Sequence, residues 1–150
     1  MKVLKVVMAV FMLGIVIPFF ISCKDNGDDL LFQTKAEAYI IDDNGETFLN
    51  YSIISYTMDN VCITELYSPD GVLWFTITDG KTVYTEAYTD EIAEQHNSTV
   101  QASAFALSGK NSDDLVYESE RNDAGETVCE IFSSKSGEYT TYKIIYTKLK

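Results

Sequence analysis

The chain has one histidine, two prolines and three cysteines among 150 residues, and its 11 basic residues face 23 acidic ones. Each scarcity removes a class of function. A single His and three Cys leave little material for a zinc site. A formal net charge of −12 argues against nucleic acid as a partner, because phosphate binding needs clustered Lys and Arg. No Gly-rich phosphate loop and no nucleophile elbow occur. His96 has no second His to build a relay or a metal pair, and its polar surroundings read as a surface loop. These absences point to a protein that is not an enzyme. At 46% hydrophobic the chain is too apolar to be disordered, and its length suits one ordinary domain.

The N-terminus stands apart. Lys2 and Lys5 precede Val6 to Ile21, 16 uncharged and almost wholly apolar residues ending near Pro18. A membrane-spanning helix needs about 20 such residues, so this run reads as a secretory signal. Phe20-Ile21-Ser22-Cys23 resembles the lipobox of bacterial lipoproteins, in which a small residue precedes a cysteine. The resemblance implies cleavage before Cys23 and acylation of its sulfur and of the new N-terminus; an ordinary signal peptide or a membrane anchor is the alternative. Lys24 after the cysteine resembles cargo sorted to the outer membrane. Lys24-Asp25 with Asp28-Asp29 is similar to the export tag of Bacteroidetes-type surface lipoproteins. Display at the cell surface and a periplasmic location both stay open. The expected division is a signal peptide at 1–22, a polar tether at 23–35 and one domain at 36–150. Without Lys2 and Lys5, nine basic residues remain against all 23 acids, so the mature chain carries −14 over 128 residues.

From Ala36 onward the pattern is β. Asp43-Asn44-Gly45, Asp59-Asn60, Pro69-Asp70-Gly71 and Asp79-Gly80 punctuate runs rich in Tyr, Ile, Thr and Val, each a turn signal with its own backbone reason. The spacing of Gly71 and Gly80 leaves no room for crossover helices, so sequence neighbours should pair antiparallel. Thr89 to His96 is the one short helix expected, capped by Thr89. Nine strands are expected, among them Thr82 to Tyr88 and Thr99 to Leu107. The predicted fold is all-β: an antiparallel up-and-down meander forming a closed or half-open, lipocalin-like barrel, with a two-layer sandwich second. In the fourth strand Leu73, Phe75 and Ile77 share one face and Val72, Trp74 and Thr76 the other.

With Cys23 assigned to lipid, Cys62 and Cys129 form an even pair in an oxidising compartment, a possible disulfide; two separately buried thiols are the alternative. The acidic turn Asp42 to Glu46 offers hard oxygen donors but lacks a calcium loop with a distal Glu, so no metal or cofactor is expected beyond the lipid. Tyrosine is abundant, with 10 against one Trp. Trp74, Tyr84, Tyr88, Tyr139, Tyr142 and Tyr146 are the candidate binding face. Ser136-Gly137-Glu138-Tyr139 is similar, one residue short, to a motif of periplasmic lysozyme inhibitors.

Three functions fit. The first is a lipid-anchored binding or accessory protein of the outer membrane or cell surface, contacting a protein or glycan. The second is an inhibitor or immunity protein that captures a basic hydrolase or toxin. The third is a lipocalin-like carrier of a small apolar ligand. A cavity of several hundred cubic ångströms would mark the carrier, and a solid core with an exposed aromatic strip would mark the binder.

Overall fold

The computed structural model describes residues 32–57 and 60–150. The expected signal peptide, Cys23 and most of the expected tether lie outside these residues. Eight strands follow in order: β1 (Phe32–Asp42), β2 (Gly45–Tyr56), β3 (Cys62–Tyr67), β4 (Leu73–Thr78), β5 (Lys81–Tyr84), β6 (Leu115–Arg121), β7 (Thr127–Ser134) and β8 (Thr141–Lys148). Between β5 and β6 lie α1 (Asp90–Gln101) and a 3-10 helix (Ala104–Leu107). All strand–strand pairings are antiparallel and the sheet order is β5-β4-β3-β2-β1-β8-β7-β6.

The fold is therefore mostly antiparallel β with one helical segment. Five strands run as a meander, the chain crosses to the far edge, and three more walk back until β8 pairs with β1. The edges β5 and β6 do not pair with each other, so the sheet stays half open rather than closing into a barrel. The first and last strands meet in the middle of the sheet, Thr34 opposite Lys148 and Ile41 opposite Thr141.

Two expected strands are different elements. Thr99 to Leu107 completes α1 and forms the 3-10 helix. The small residues at 100, 102, 104 and 106 gave a period of two, but Ala93, His96 and Val100 make a buried helical stripe, and alanine favours helix. The Ser103 hydroxyl donates to Val100 O at 2.7 Å and ends the helix. Thr82 to Tyr88 is a strand only as far as Tyr84, because Tyr88 N turns back to donate to Thr85 O. The helix begins as its sequence suggests: Thr89 accepts from Ile92 N at 3.3 Å, and Asp90 and Glu91 occupy the first turn.

Two bulges set which side chains face inward. Ala38 pairs with Asn50 and Tyr39 with Phe48, so Leu49 is an extra residue in β2. Leu66 pairs with Phe75 and Tyr67 with Leu73, so Trp74 is an extra residue in β4. Strict alternation would put Trp74 opposite Phe75, but the bulge turns both inward, 8% and 2% exposed, and corrects the expected face assignment. Thr85 fastens this bulge. Its hydroxyl donates to Leu73 O at 2.6 Å and lies 3.1 Å from Trp74 O, while its N–H donates to Trp74 O at 2.9 Å.

The helical segment covers one face of the sheet. Phe105, Val100 and Leu107 pack on Ala38, Ile40, Phe132 and Tyr142 in one cluster. Ala93 and Tyr88 pack with Leu66, Trp74, Phe75 and Ile77 in the other. Each buried Val, Leu, Ile or Phe side chain among them contributes about 1.5–3 kcal/mol.

Candidate functional site

The six aromatics proposed as a binding face are divided between the two cores. Trp74, Tyr88 and Tyr142 are 8%, 1% and 0% exposed. Tyr84 packs partly buried against one core cluster, Tyr139 and Tyr146 against the other. Trp74 and Tyr88 lie 5.4 Å apart between centroids, Tyr84 and Tyr88 5.8 Å. They pack inward, because α1, the turn before it and the 3-10 helix cover this face.

His96 is likewise inside, 6% exposed rather than on a surface loop. Asn50 Nδ2 donates to His96 Nε2 at 2.7 Å, which leaves the ring proton on Nδ1, 3.5 Å from the Tyr88 hydroxyl. Trp74 packs beside the ring at 5.4 Å. Burial lowers the His96 pKa to about 4 and keeps it neutral near pH 7. Glu130, 2% exposed, accepts from Tyr117 and Tyr146 hydroxyls at 2.6 and 2.5 Å. Burial, then Glu130, pushes the Tyr117 pKa up to about 12, so that hydroxyl remains a donor.

A cavity of about 30 Å³ lies on the inner face, lined among others by Ala36, Asn50, Ser52, Thr64, Tyr142 and Tyr146. That is room for little more than a water molecule. Among the described residues no three His, Cys, Asp or Glu side chains gather to hold a metal ion.

Cys62 and Cys129 are free thiols. Four strand steps separate β3 from β7, about 19 Å along the sheet. Their side chains also leave opposite faces: Cys62 packs against the inner cluster, whereas Cys129 pairs with Ile145, the neighbour of inward-facing Ile144. The possible disulfide is not made, since bridging needs Cα atoms within about 7 Å.

The opposite face of the sheet carries the arrangement that alternation alone did not reveal. Tyr39, Phe48, Tyr51 and Tyr67 are partly exposed there and form a continuous aromatic row. Ring centroids are 5.2 Å apart for Tyr39 and Phe48, 6.3 Å for Phe48 and Tyr51, and 4.9 Å for Tyr51 and Tyr67. The last two pairs are nearly parallel, at 10° and 7°. The β2 bulge makes the row possible. Phe48 and Tyr51 are three residues apart, so a regular strand would place them on opposite faces.

Charge frames the row. Lys35 Nζ lies 4.8 Å from the Tyr51 centroid and donates to Glu37 at 2.7 Å. Lys143 Nζ lies 5.0 Å from the Tyr39 centroid and donates to Glu46. Burial first, then the Glu65 carboxylate, holds the Tyr67 hydroxyl above its ordinary pKa. The Pro69-Asp70-Gly71 turn closes the end of the row, and a Cβ on Gly71 would come within 3.4 Å of the Tyr51 hydroxyl oxygen.

The chain matches no protein-family model, no curated protein and no solved structure.

Proposed function

We propose that this is a non-enzymatic, lipid-anchored binding protein of the bacterial outer membrane, which meets a protein partner through the Tyr39–Phe48–Tyr51–Tyr67 row. One observation carries the reading: an aromatic row stands on the sheet face that the helix leaves uncovered. Tyrosine suits such a face, because it offers a large, rigid, amphipathic contact at low entropic cost. The stacked rings turn their faces toward one another and toward two lysines, and so present edges and hydroxyls. That surface favours a protein over a sugar ring, which needs an open aromatic face. The small inner cavity gives the carrier reading no support.

The anchor adds direction. Nine residue steps from Cys23 to Phe32 span at most about 30 Å. Tyr39 lies seven residues further along β1, about 23 Å beyond Phe32. The β1–β2 and β3–β4 turns flank the row at that end of the sheet. A domain tethered through Phe32 holds the row away from the membrane.

The test is photo-crosslinking in living cells with p-benzoylphenylalanine at Glu65 or at Thr76, its partner on β4, beside the row, and at Ser119 on the inner side of edge strand β6. Discrete adducts of defined mass from Glu65 and Thr76, absent at Ser119, are expected. Equal labelling from all three positions would overturn the reading.

A further inference from the structure

The segment between β5 and β6 is fastened at both ends and held lightly between them. At the near end Thr85 clamps the turn to the β4 bulge through Leu73 O and Trp74 O. At the far end Ala104 N donates to Thr140 O at 2.8 Å and Thr140 N to Ala102 O at 3.1 Å, which ties the 3-10 helix to the residue before β8. Between these points α1 buries Ala93, His96 and Val100. Ala93 joins one core cluster and Val100 the other, and His96 lies between them on the stripe. The apolar anchorage is small, an alanine and a valine with half-buried Ile92 beside them. The hydrogen bond from the middle of α1 to the sheet runs from Asn50 Nδ2 to His96 Nε2 at 2.7 Å. We infer that α1 is a proton-operated strap, whose opening away from the sheet, with the eight strands still folded, is driven by proton uptake at His96.

The surroundings of His96 suit a neutral ring and oppose a cation. A second ring proton would sit on Nε2 and meet the Asn50 amide, donor against donor. Turning that amide over would bring its oxygen to the imidazolium, yet the charge would still lie buried without a counter-ion. β2 contributes Asn50, β4 contributes Trp74, and the turn contributes Tyr88, with Tyr84 of β5 stacked behind it. None of these is charged, since burial raises the Tyr84 phenol and pushes Tyr88 up to about 12. The 3-10 helix brings only Ala104, Phe105, Ala106 and Leu107. The carboxylates of α1 and its turn, Glu86, Asp90, Glu91 and Glu94, are exposed, and burial is the one cause acting on His96. Opening returns the imidazole to water, where it holds a proton up to about pH 6.5, so opening and proton uptake are linked. The backbone hydrogen bonds of α1 are its own, and it can leave without breaking a ladder between strands. Its departure uncovers Leu66, Trp74, Phe75 and Ile77 on the inner face of β3 and β4.

Native-state hydrogen exchange on the purified full chain in zwitterionic detergent tests the strap. Exchange is followed at pH 7 and pH 5, with intrinsic rates divided out, at several low urea concentrations. Amides of α1 should be less protected than those of β1 and β8 at both pH values. Their exchange should also respond less to urea, because little surface opens. Their protection should fall about 25-fold from pH 7 to pH 5. His96→Gln keeps a hydrogen-bonding side chain but takes up no proton, and its α1 protection should be the same at both pH values. Asn50→Asp sets a carboxylate against the imidazole and should also remove the fall, by favouring the charged ring within the closed state. Circular dichroism establishes which variants are folded, and the comparison of α1 with β8 in the parent decides without either. If α1 and β8 amides share one protection and one urea dependence at both pH values, the opening is global and the inference falls. It falls too if α1 protection in the parent ignores pH, or if the fall persists in folded His96→Gln.

Discussion

His96 is the residue whose surroundings in sequence and in space differ most. Its neighbours in the chain are Gln95 and Asn97, yet Asn50 and Trp74 from two separate strands enclose it. Its titration should be visible in stability. The unfolded side chain takes a proton near pH 6.5, whereas the folded one, lowered by burial, does so at about 4. Above pH 6.5 neither state is protonated and stability is full. Between 6.5 and 4 only the unfolded chain takes up the proton, so stability falls, by about 3 kcal/mol across the whole window. Below 4 both states are charged and the loss is complete. This is the only histidine, and ordinary carboxylates titrate below about pH 5. Urea midpoints measured from pH 7 to 5 should therefore decline in the parent and stay flat in His96→Gln. A parent midpoint that does not move would refute the buried, neutral imidazole.

At the scale of elements, the bulge at Trp74 is the piece most dependent on a single side chain. Thr85→Val keeps the shape and removes the hydroxyl that serves Leu73 O and Trp74 O, at a cost of about 1–2 kcal/mol. Trp74 is the only tryptophan and is 8% exposed. The variant should therefore shift its emission to the red as well as lower the melting temperature; unchanged emission would show that the bulge holds without Thr85. Bulges also mark where the sequence stops being readable. Turns such as Pro69-Asp70-Gly71 carry their own backbone chemistry and locate the strands between them. One extra residue at Leu49 or Trp74 has no local signature, yet it moves Phe48 and Trp74 to the other face. Trp74 faces inward for that reason, and the helix expected to end at His96 runs on to Gln101. The run Val100 to Leu107 fits two periods equally well, and only contact with the sheet decides between them.

For the whole molecule, the proposed lipid anchor and tether are tested at Cys23. Cys23→Ala should move the chain from the membrane to the soluble fraction on cell fractionation, without loss of the folded domain. Retention in the membrane at the parent level would exclude anchoring through that cysteine. Several acyl chains together hold a protein almost permanently, at about 0.8 kcal/mol per buried methylene. The antiparallel pattern was legible because turns a few residues apart admit no crossover. The pairing of β1 with β8 was not, since nothing local joins Thr34 to Lys148.

That central pairing sets a schedule for the protein's biogenesis. The strand that completes the middle of the sheet is the last of the eight to be synthesised, and until it arrives β1 has one neighbour and β7 lacks the partner that ties it to the rest. Contacts of such long sequence separation form slowly. A chain passing through a membrane pore in sequence order thus cannot finish folding on the near side, and it stays threadable until Thr141–Lys148 has emerged.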